Sequence, residues 1–197
     1  MRVAVTGTPG TGKTTATNRL ESRLSESTAD PFADLEVIHL NGVLEREGFY
    51  TEVDAERDSK VADLDALAEW LDGRDDVVIE SHLAHHFSAD RVVVLRCRPA
   101  ELERRLLERG EPDGKARENA ERTESSRALA RKARENAESE ALDVILSEAV
   151  EEHGLESVYE IDTTERDPDA VVDELEAVVA GERDPSAGEV DFVGYLV

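Results

Sequence analysis

The chain is poor in cysteine, in lysine and in uninterrupted hydrophobic stretches. Cys97 is the one cysteine among 197 residues, which excludes an internal disulfide and leaves no thiol pair for redox chemistry. A small buried residue at a strand end is its expected role. No apolar run approaches the length that spans a bilayer. The N-terminus passes straight into "RVAVTG" (2–7) without the long hydrophobic segment of a signal peptide, so a cytoplasmic location is expected. Lysine occurs only at positions 13, 60, 115 and 132; the other 19 basic residues are arginine.

Acid is abundant: 47 acidic against 23 basic residues, a formal charge of -24. The acids are spread along the chain rather than gathered in a tail, which predicts a solvated acidic surface. Such a charge repels phosphate backbones, so direct nucleic-acid binding is expected to be weak or absent. Residues 96–140 depart from this pattern, with twelve basic and eleven acidic residues. A near-neutral island in so acidic a chain points to phosphate handling.

Short Val/Ile-rich runs at 2–6, 37–40, 77–80, 92–95 and 158–161 predict buried parallel strands. Helical patterns fall between them: Lys13 to about Ser25, Val61 to Leu71, Pro99 to Gly110, and Asp169 to Ala180. This alternation predicts an α/β domain with a parallel sheet covered on both faces. The heptapeptide "KARENAE" occurs twice, at Lys115–Glu121 and Lys132–Glu138, and reads as a local duplication within a surface helix. The tail from Gly181 is linker-like at first and apolar at its end, and is expected to fold back onto the domain.

The densest signal is "VTGTPGTGKTTATNRL" (5–20), which fits G-x-x-x-x-G-K-[ST] through Gly7, Gly12, Lys13 and Thr14. A predicted strand precedes it and a predicted helix follows. Glycines let successive N–H groups turn toward an anion, and the helix adds the positive end of its dipole. Lys13 is positioned for the β- and γ-phosphates of a nucleoside triphosphate, Thr14 for Mg²⁺ and Thr15 for the α-phosphate. In "SHLAHH", His82, His85 and His86 have ligand-like spacing. Their place after a strand at the carboxyl edge of the sheet favours orientation or loop packing instead. Arg104 and Arg105 read as a solvated helix face, with Arg109 the better candidate for the site. Asp54, Asp58, Asp63 and Asp65 read as surface charge and helix N-terminal acids, with contact to an acceptor nucleotide as the alternative.

The loop "GTPGTGKTT", the strand ending "VVIESH", the strand "VVVLRCRP" and the following "LERRLLERG" together resemble the adenylate kinase isoenzyme 6 family, also described as the coilin-interacting nuclear ATPase, in its archaeal branch. The resemblance covers the chain to about Ala180. It implies a P-loop NTPase three-layer α/β fold: a five-stranded parallel sheet flanked by helices, with an NMP-binding arm (about 40–58) and a helical lid (about 108–138), followed by a tail from 181. It also implies a broad-specificity nucleoside monophosphate kinase converting ATP and AMP to two ADP with Mg²⁺, ATPase activity, and a role in 16S rRNA maturation through transient binding of ribosomal protein uS11.

Carried over position by position, Gly10, Gly12, Lys13, Thr14 and Thr15 match the family's ATP loop. Arg109 matches its ATP-contacting lid arginine. Glu80 and His82 stand where the family has Asp-x-His, with Glu80 and Thr14 toward Mg²⁺, and Arg46 is the candidate for the acceptor phosphate. The duplicated "KARENAE" departs from the family's single lid segment. The acidic surface resembles that of salt-accumulating archaea. Two alternatives stand beside the kinase reading: a nucleotide-switched assembly factor with little kinase activity, and another small-molecule P-loop kinase.

Overall fold

A computed structural model of the protein describes residues 1–26, 35–54, 59–110 and 120–196. Its main sheet holds five parallel strands: β1 (Arg2–Thr6), β2 (Glu36–His39), β5 (Val77–Glu80), β6 (Arg91–Arg96) and β7 (Val158–Asp162), in the order β2-β5-β1-β6-β7. A separate antiparallel hairpin joins β3 (Tyr50–Asp54) and β4 (Ser59–Ala62). The helices are α1 (Lys13–Glu26), α2 (Leu40–Glu47), α3 (Leu64–Leu71), α4 (Pro99–Gly110), α5 (Ala120–Ala141), α6 (Val144–His153) and α7 (Pro168–Ala180).

The unbroken Val/Ile runs follow from burial on both faces of the sheet. Val3 and Val5, Val78, Val93 and Leu95, and Tyr159 and Ile161 face one layer, where Leu20 and Leu24 of α1 and Val171, Val172, Leu175 and Val178 of α7 meet them. The residues between them (Ala4, Val77 and Ile79, Val92 and Val94, Val158) face the other layer, with Leu67 and Leu71 of α3 and Leu146 and Ala149 of α6. The period of two thus divides each run between two cores. The five predicted strands and four predicted helices are all present in this α/β, P-loop-type architecture.

One helix boundary differs. Val61 belongs to β4, and α3 starts only at Leu64, because the Asp63 carboxylate caps it by accepting from the Ala66 N–H at 3.0 Å. Asp63 and Asp65 are therefore helix N-terminal acids, whereas Asp58 lies outside the described residues. The hairpin, α2 and α6 had no counterpart in the expected elements. The first "KARENAE" copy falls largely on residues 111–119, outside the described residues; the second lies within α5, where Ala133 and Ala137, one turn apart, are buried.

Among the described residues, most arginines of the near-neutral island are held in ion pairs. Arg104 pairs with Glu101 and Glu108, Arg134 with Glu138, and Arg131 with Glu135. Arg96, 1% exposed, meets three carboxylates: Glu140 (2.7 Å), Asp143 and Glu160. Such a cluster holds only if each charge is paired, since one unpartnered buried ion costs several kcal/mol. Cys97, next in the chain, is fully buried, as expected of a residue at a strand end.

The tail folds back. Ser186 donates its N–H to the Val158 carbonyl (3.0 Å), and its hydroxyl accepts from the Glu160 N–H (3.0 Å). The second Glu160 oxygen accepts from the N–H groups of Gly188 (2.6 Å), Glu189 (2.8 Å) and Val190 (3.3 Å). The tail thereby covers the open edge at β7, where unpaired backbone groups would otherwise remain.

Candidate functional site

The glycine loop runs from the end of β1 at the centre of the sheet to the start of α1. Strands β5 and β6 flank β1, so their carboxyl ends rise on either side of the loop. Gly7 has φ +133°, and a Cβ there would lie 2.4 Å from the Leu95 carbonyl oxygen, so both conformation and space demand glycine. Gly12 has φ +97° but open space around it; only its backbone conformation is restrictive.

Lys13 is 8% exposed and arches back over the loop, its ammonium donating to the carbonyls of Gly7 (2.7 Å) and Thr8 (3.1 Å). Burial pulls its pKa down to about 8; Glu80 and Glu140 oppose that shift and Arg109 adds to it. The Thr14 hydroxyl donates to one Glu80 oxygen at 3.2 Å, and His39 Nδ1 lies 2.8 Å from the other. Glu80 is 3% exposed. His82 is held neutral: burial first, then the Lys13 charge, push its pKa down to about 4.

Two cavities meet over this loop. The smaller, about 130 Å³, is lined by Lys13, Thr14, Asn41, Glu80, His82 and Arg109 together with Pro9, Gly10, Gly12 and Thr15. Its charged and hydroxyl groups suit phosphate and a hard cation. The larger, about 230 Å³, runs from Gly10, Thr11, Gly12, Thr15 and Ala16 to Arg105, Arg109, Thr163, Arg166, Pro168 and Val171. Its mixture of aliphatic wall and guanidinium groups suits a flat, polar-edged ring. Arg109 lines both.

Of the residues singled out from the sequence, Gly10, Gly12, Lys13, Thr14, Thr15, Glu80, His82 and Arg109 come together here. Arg46 does not: it is exposed on the last turn of α2 and lines neither cavity, whereas Asn41 at the start of that helix does. Arg104 and Arg105 both donate to Glu101, but only Arg105 also donates to the Thr163 carbonyl (2.9 Å) and lines the larger cavity.

Several participants were not foreseen. His39 stands opposite Glu80 in the β2–β5 register; its signal was a polar residue closing the short Val-Ile pair of an edge strand. Glu140, at the far end of α5, accepts from the Thr8 hydroxyl (2.5 Å), the Cys97 N–H (3.1 Å) and Arg96. It ties the glycine loop to α5 and carries no local sequence signal.

The family model described as "AAA domain" matches residues 3–126. The curated protein named "Putative adenylate kinase" from Natronomonas pharaonis is 60% identical over 121 residues, covering 61% of this chain and 66% of that protein. The protein of the same name from Halobacterium salinarum is 52% identical over 131 residues, covering 66% of this chain and 69% of that protein. The chain belongs to the archaeal adenylate kinase family. The matched region spans about two thirds of the length of these relatives. Among solved structures, shikimate kinase from Bacteroides thetaiotaomicron superposes with a TM-score of 0.54 at 17% identity, covering 91% of this chain and 98% of that one. Deoxyadenosine kinase from M. mycoides gives 0.54 at 14% identity, covering 93% and 100%. At these identities the likeness is one of fold. As a member of the adenylate kinase family, the chain is a phosphotransferase, and the glycine loop is where its sequence and geometry agree. No helix among the described residues is long and apolar enough to cross a membrane.

Proposed function

We propose that this protein is a cytoplasmic nucleoside monophosphate kinase that transfers the γ-phosphoryl group of ATP to AMP. The observation that carries the proposal is Arg109, which borders both the phosphate-sized cavity beside Lys13 and the larger cavity beside Thr163 and Val171. ATP lying across the two would place its base and ribose against Pro168 and Val171 and its phosphates along the loop N–H groups. Lys13 would exchange its two carbonyl partners for phosphate oxygens, and Arg109 would meet the phosphate chain from above, so charge that develops during transfer finds fixed cations.

Thr14 and Glu80 fit Mg²⁺: both are hard oxygen donors, already within 3.2 Å of each other on the wall of the smaller cavity. Bound there, Mg²⁺ would neutralise phosphate charge and hold the transferring group in line. His39 would orient Glu80 from behind. An AMP phosphate is already anionic and needs no general base, which suits a neutral His82 that orients rather than deprotonates. The arm over about 40–58 would carry AMP, and Arg46, which lines neither cavity here, would meet its phosphate only on closure of that arm; a lid over about 108–138 would close on ATP, excluding water. ATPase activity is the leak expected when the lid closes without an acceptor.

Beyond phosphoryl transfer, the resemblance supports a part in 16S rRNA maturation through transient binding of ribosomal protein uS11. The charge of -24 supports work in concentrated salt, with stability rising in KCl up to molar concentration. One assay panel tests the proposal: Mg·ATP with each nucleoside monophosphate in high KCl, with and without the ribosomal protein. Consumption of AMP with formation of two ADP is expected. Turnover of ATP that ignores every monophosphate but responds to the ribosomal protein would replace the kinase by a nucleotide-switched assembly factor.

A further inference from the structure

Away from the glycine loop, the described residues bring a second set of ligating side chains together. A 3-10 turn, Ala84–His86, follows β5 and lies against α6. One nitrogen each from His85 and His86 and one Glu148 carboxylate oxygen lie within 4.8 Å of one another. His85 Nε2 is 3.1 Å from Glu148 Oε2, and the two imidazole centroids are 4.1 Å apart. Glu152, one turn beyond Glu148 on α6, places Oε1 2.7 Å from His86 Nδ1. We propose that His85, His86 and Glu148 form a binding site for a divalent transition cation of the zinc, cobalt or nickel class, distinct from the Mg²⁺ position at Thr14 and Glu80.

The donor chemistry selects the class. Two imidazoles and one carboxylate match borderline cations, whereas Mg²⁺ prefers oxygen ligands throughout. Three protein ligands leave one position of a tetrahedron for water.

The surroundings support the site as well. His85 is 1% exposed, and its Nδ1 lies 2.9 Å from the Thr6 hydroxyl, which also reaches the His82 carbonyl at 3.3 Å. That hydroxyl has one proton for two acceptors. When it donates to Nδ1, the Nε2–H donates to Glu148. When it turns to the His82 carbonyl, it accepts from Nδ1–H, and Nε2 presents a bare lone pair to the Glu148 carboxylate. Two acceptors at 3.1 Å repel unless a cation lies between them. Thr6 thus accommodates the metal-ligating tautomer without stranding a polar atom, as the outer-shell partners of metal-bound histidines do. His153 Nε2, 2.6 Å from the His85 carbonyl, secures the backbone of the turn. A cation here would clamp α6 to the segment that follows Glu80 and His82.

The test uses the full-length protein, stripped with a chelator and kept in molar KCl with ~10 mM Mg²⁺ so that carboxylate-only sites are saturated. Co²⁺ and Zn²⁺ are titrated separately by calorimetry, with the visible spectrum of Co²⁺ as a signature of imidazole ligation. One equivalent is expected to bind, with a dissociation constant on the order of micromolar and a rise in melting temperature. His86→Ala and Glu148→Gln should each weaken binding about 10-fold or more, and Glu152→Gln less. His86 and Glu148 line neither nucleotide cavity, so Mg·ATP binding should be unchanged in both variants. Absence of saturable one-equivalent binding at ~1 mM metal, or equal affinity in the His86→Ala, Glu148→Gln double variant, overturns the proposal. The kinase reading is unaffected by either result.

Discussion

Raising the pH should weaken nucleotide binding through one residue. Lys13 has a pKa pulled down to about 8 by burial in the protein without nucleotide. A polyphosphate beside it favours the ammonium form and raises that pKa. Binding above pH 8 therefore requires uptake of a proton, and the apparent dissociation constant grows as the charged fraction shrinks. With a pKa of about 8, Lys13 is roughly 90% charged at pH 7 and roughly 10% charged at pH 9. Affinity should thus fall about 10-fold between those values, about 1.4 kcal/mol, and then by about a decade per further pH unit. Calorimetric titration with a non-hydrolysable ATP analogue and Mg²⁺ measures this directly. Repeating it near pH 8 in buffers of different ionisation heat should reveal uptake of about half a proton. The guanidinium of a Lys13→Arg variant stays charged throughout and should make binding independent of pH. A wild-type affinity that stays flat from about pH 7 to 9.5, or a Lys13→Arg variant that keeps the slope, refutes this account of the lysine.

Three other outcomes follow from the geometry. Gly7→Ala drives a Cβ to within 2.4 Å of the Leu95 carbonyl and should cost at least about 3 kcal/mol in chemical denaturation, whereas Gly12→Ala meets open space and should cost about 1–2. Arg109→Ala removes an exposed side chain common to both cavities; kcat for phosphoryl transfer should drop about 10²–10³-fold while the denaturation midpoint holds. For His82, the native pKa of about 4 lies below the ordinary 6.5, so the unfolded chain binds the extra proton between those values. Stability should fall as pH drops through that window, by up to about 3 kcal/mol, and His82→Gln should remove that part of the acid sensitivity in denaturant titrations.

Much of the fold was legible because its signals are local. The strands at 2–6 and 77–80 and the helix at 99–110 coincide with the observed elements, since Val/Ile density and a proline at a helix start act within a few residues. The helix expected from Val61 began late because its apolar spacing continued into a β-hairpin; the Asp63 cap was the deciding feature. The arginines of residues 96–140 invited a phosphate reading as a group. Arg96, Arg104, Arg131 and Arg134 proved to be bound to carboxylates; Arg105 is bound to Glu101 as well, and only position in the fold makes it and Arg109 line the cavities.

The strand–loop–helix unit that cradles an anion needs only a run of about fourteen residues: glycines for the turn, one lysine, two threonines and a buried strand before them. These constraints act between chain neighbours and are therefore visible in the order of residues alone. What surrounds Lys13 is another matter. His39 and Glu80 are 41 positions apart and meet only because parallel strands pair through long crossovers; Thr8 and Glu140 are 132 apart and meet only because the end of α5 packs beside the glycine loop and Arg96. Such contacts arise from register and packing, which no short stretch of chain encodes, so they belong to the folded molecule.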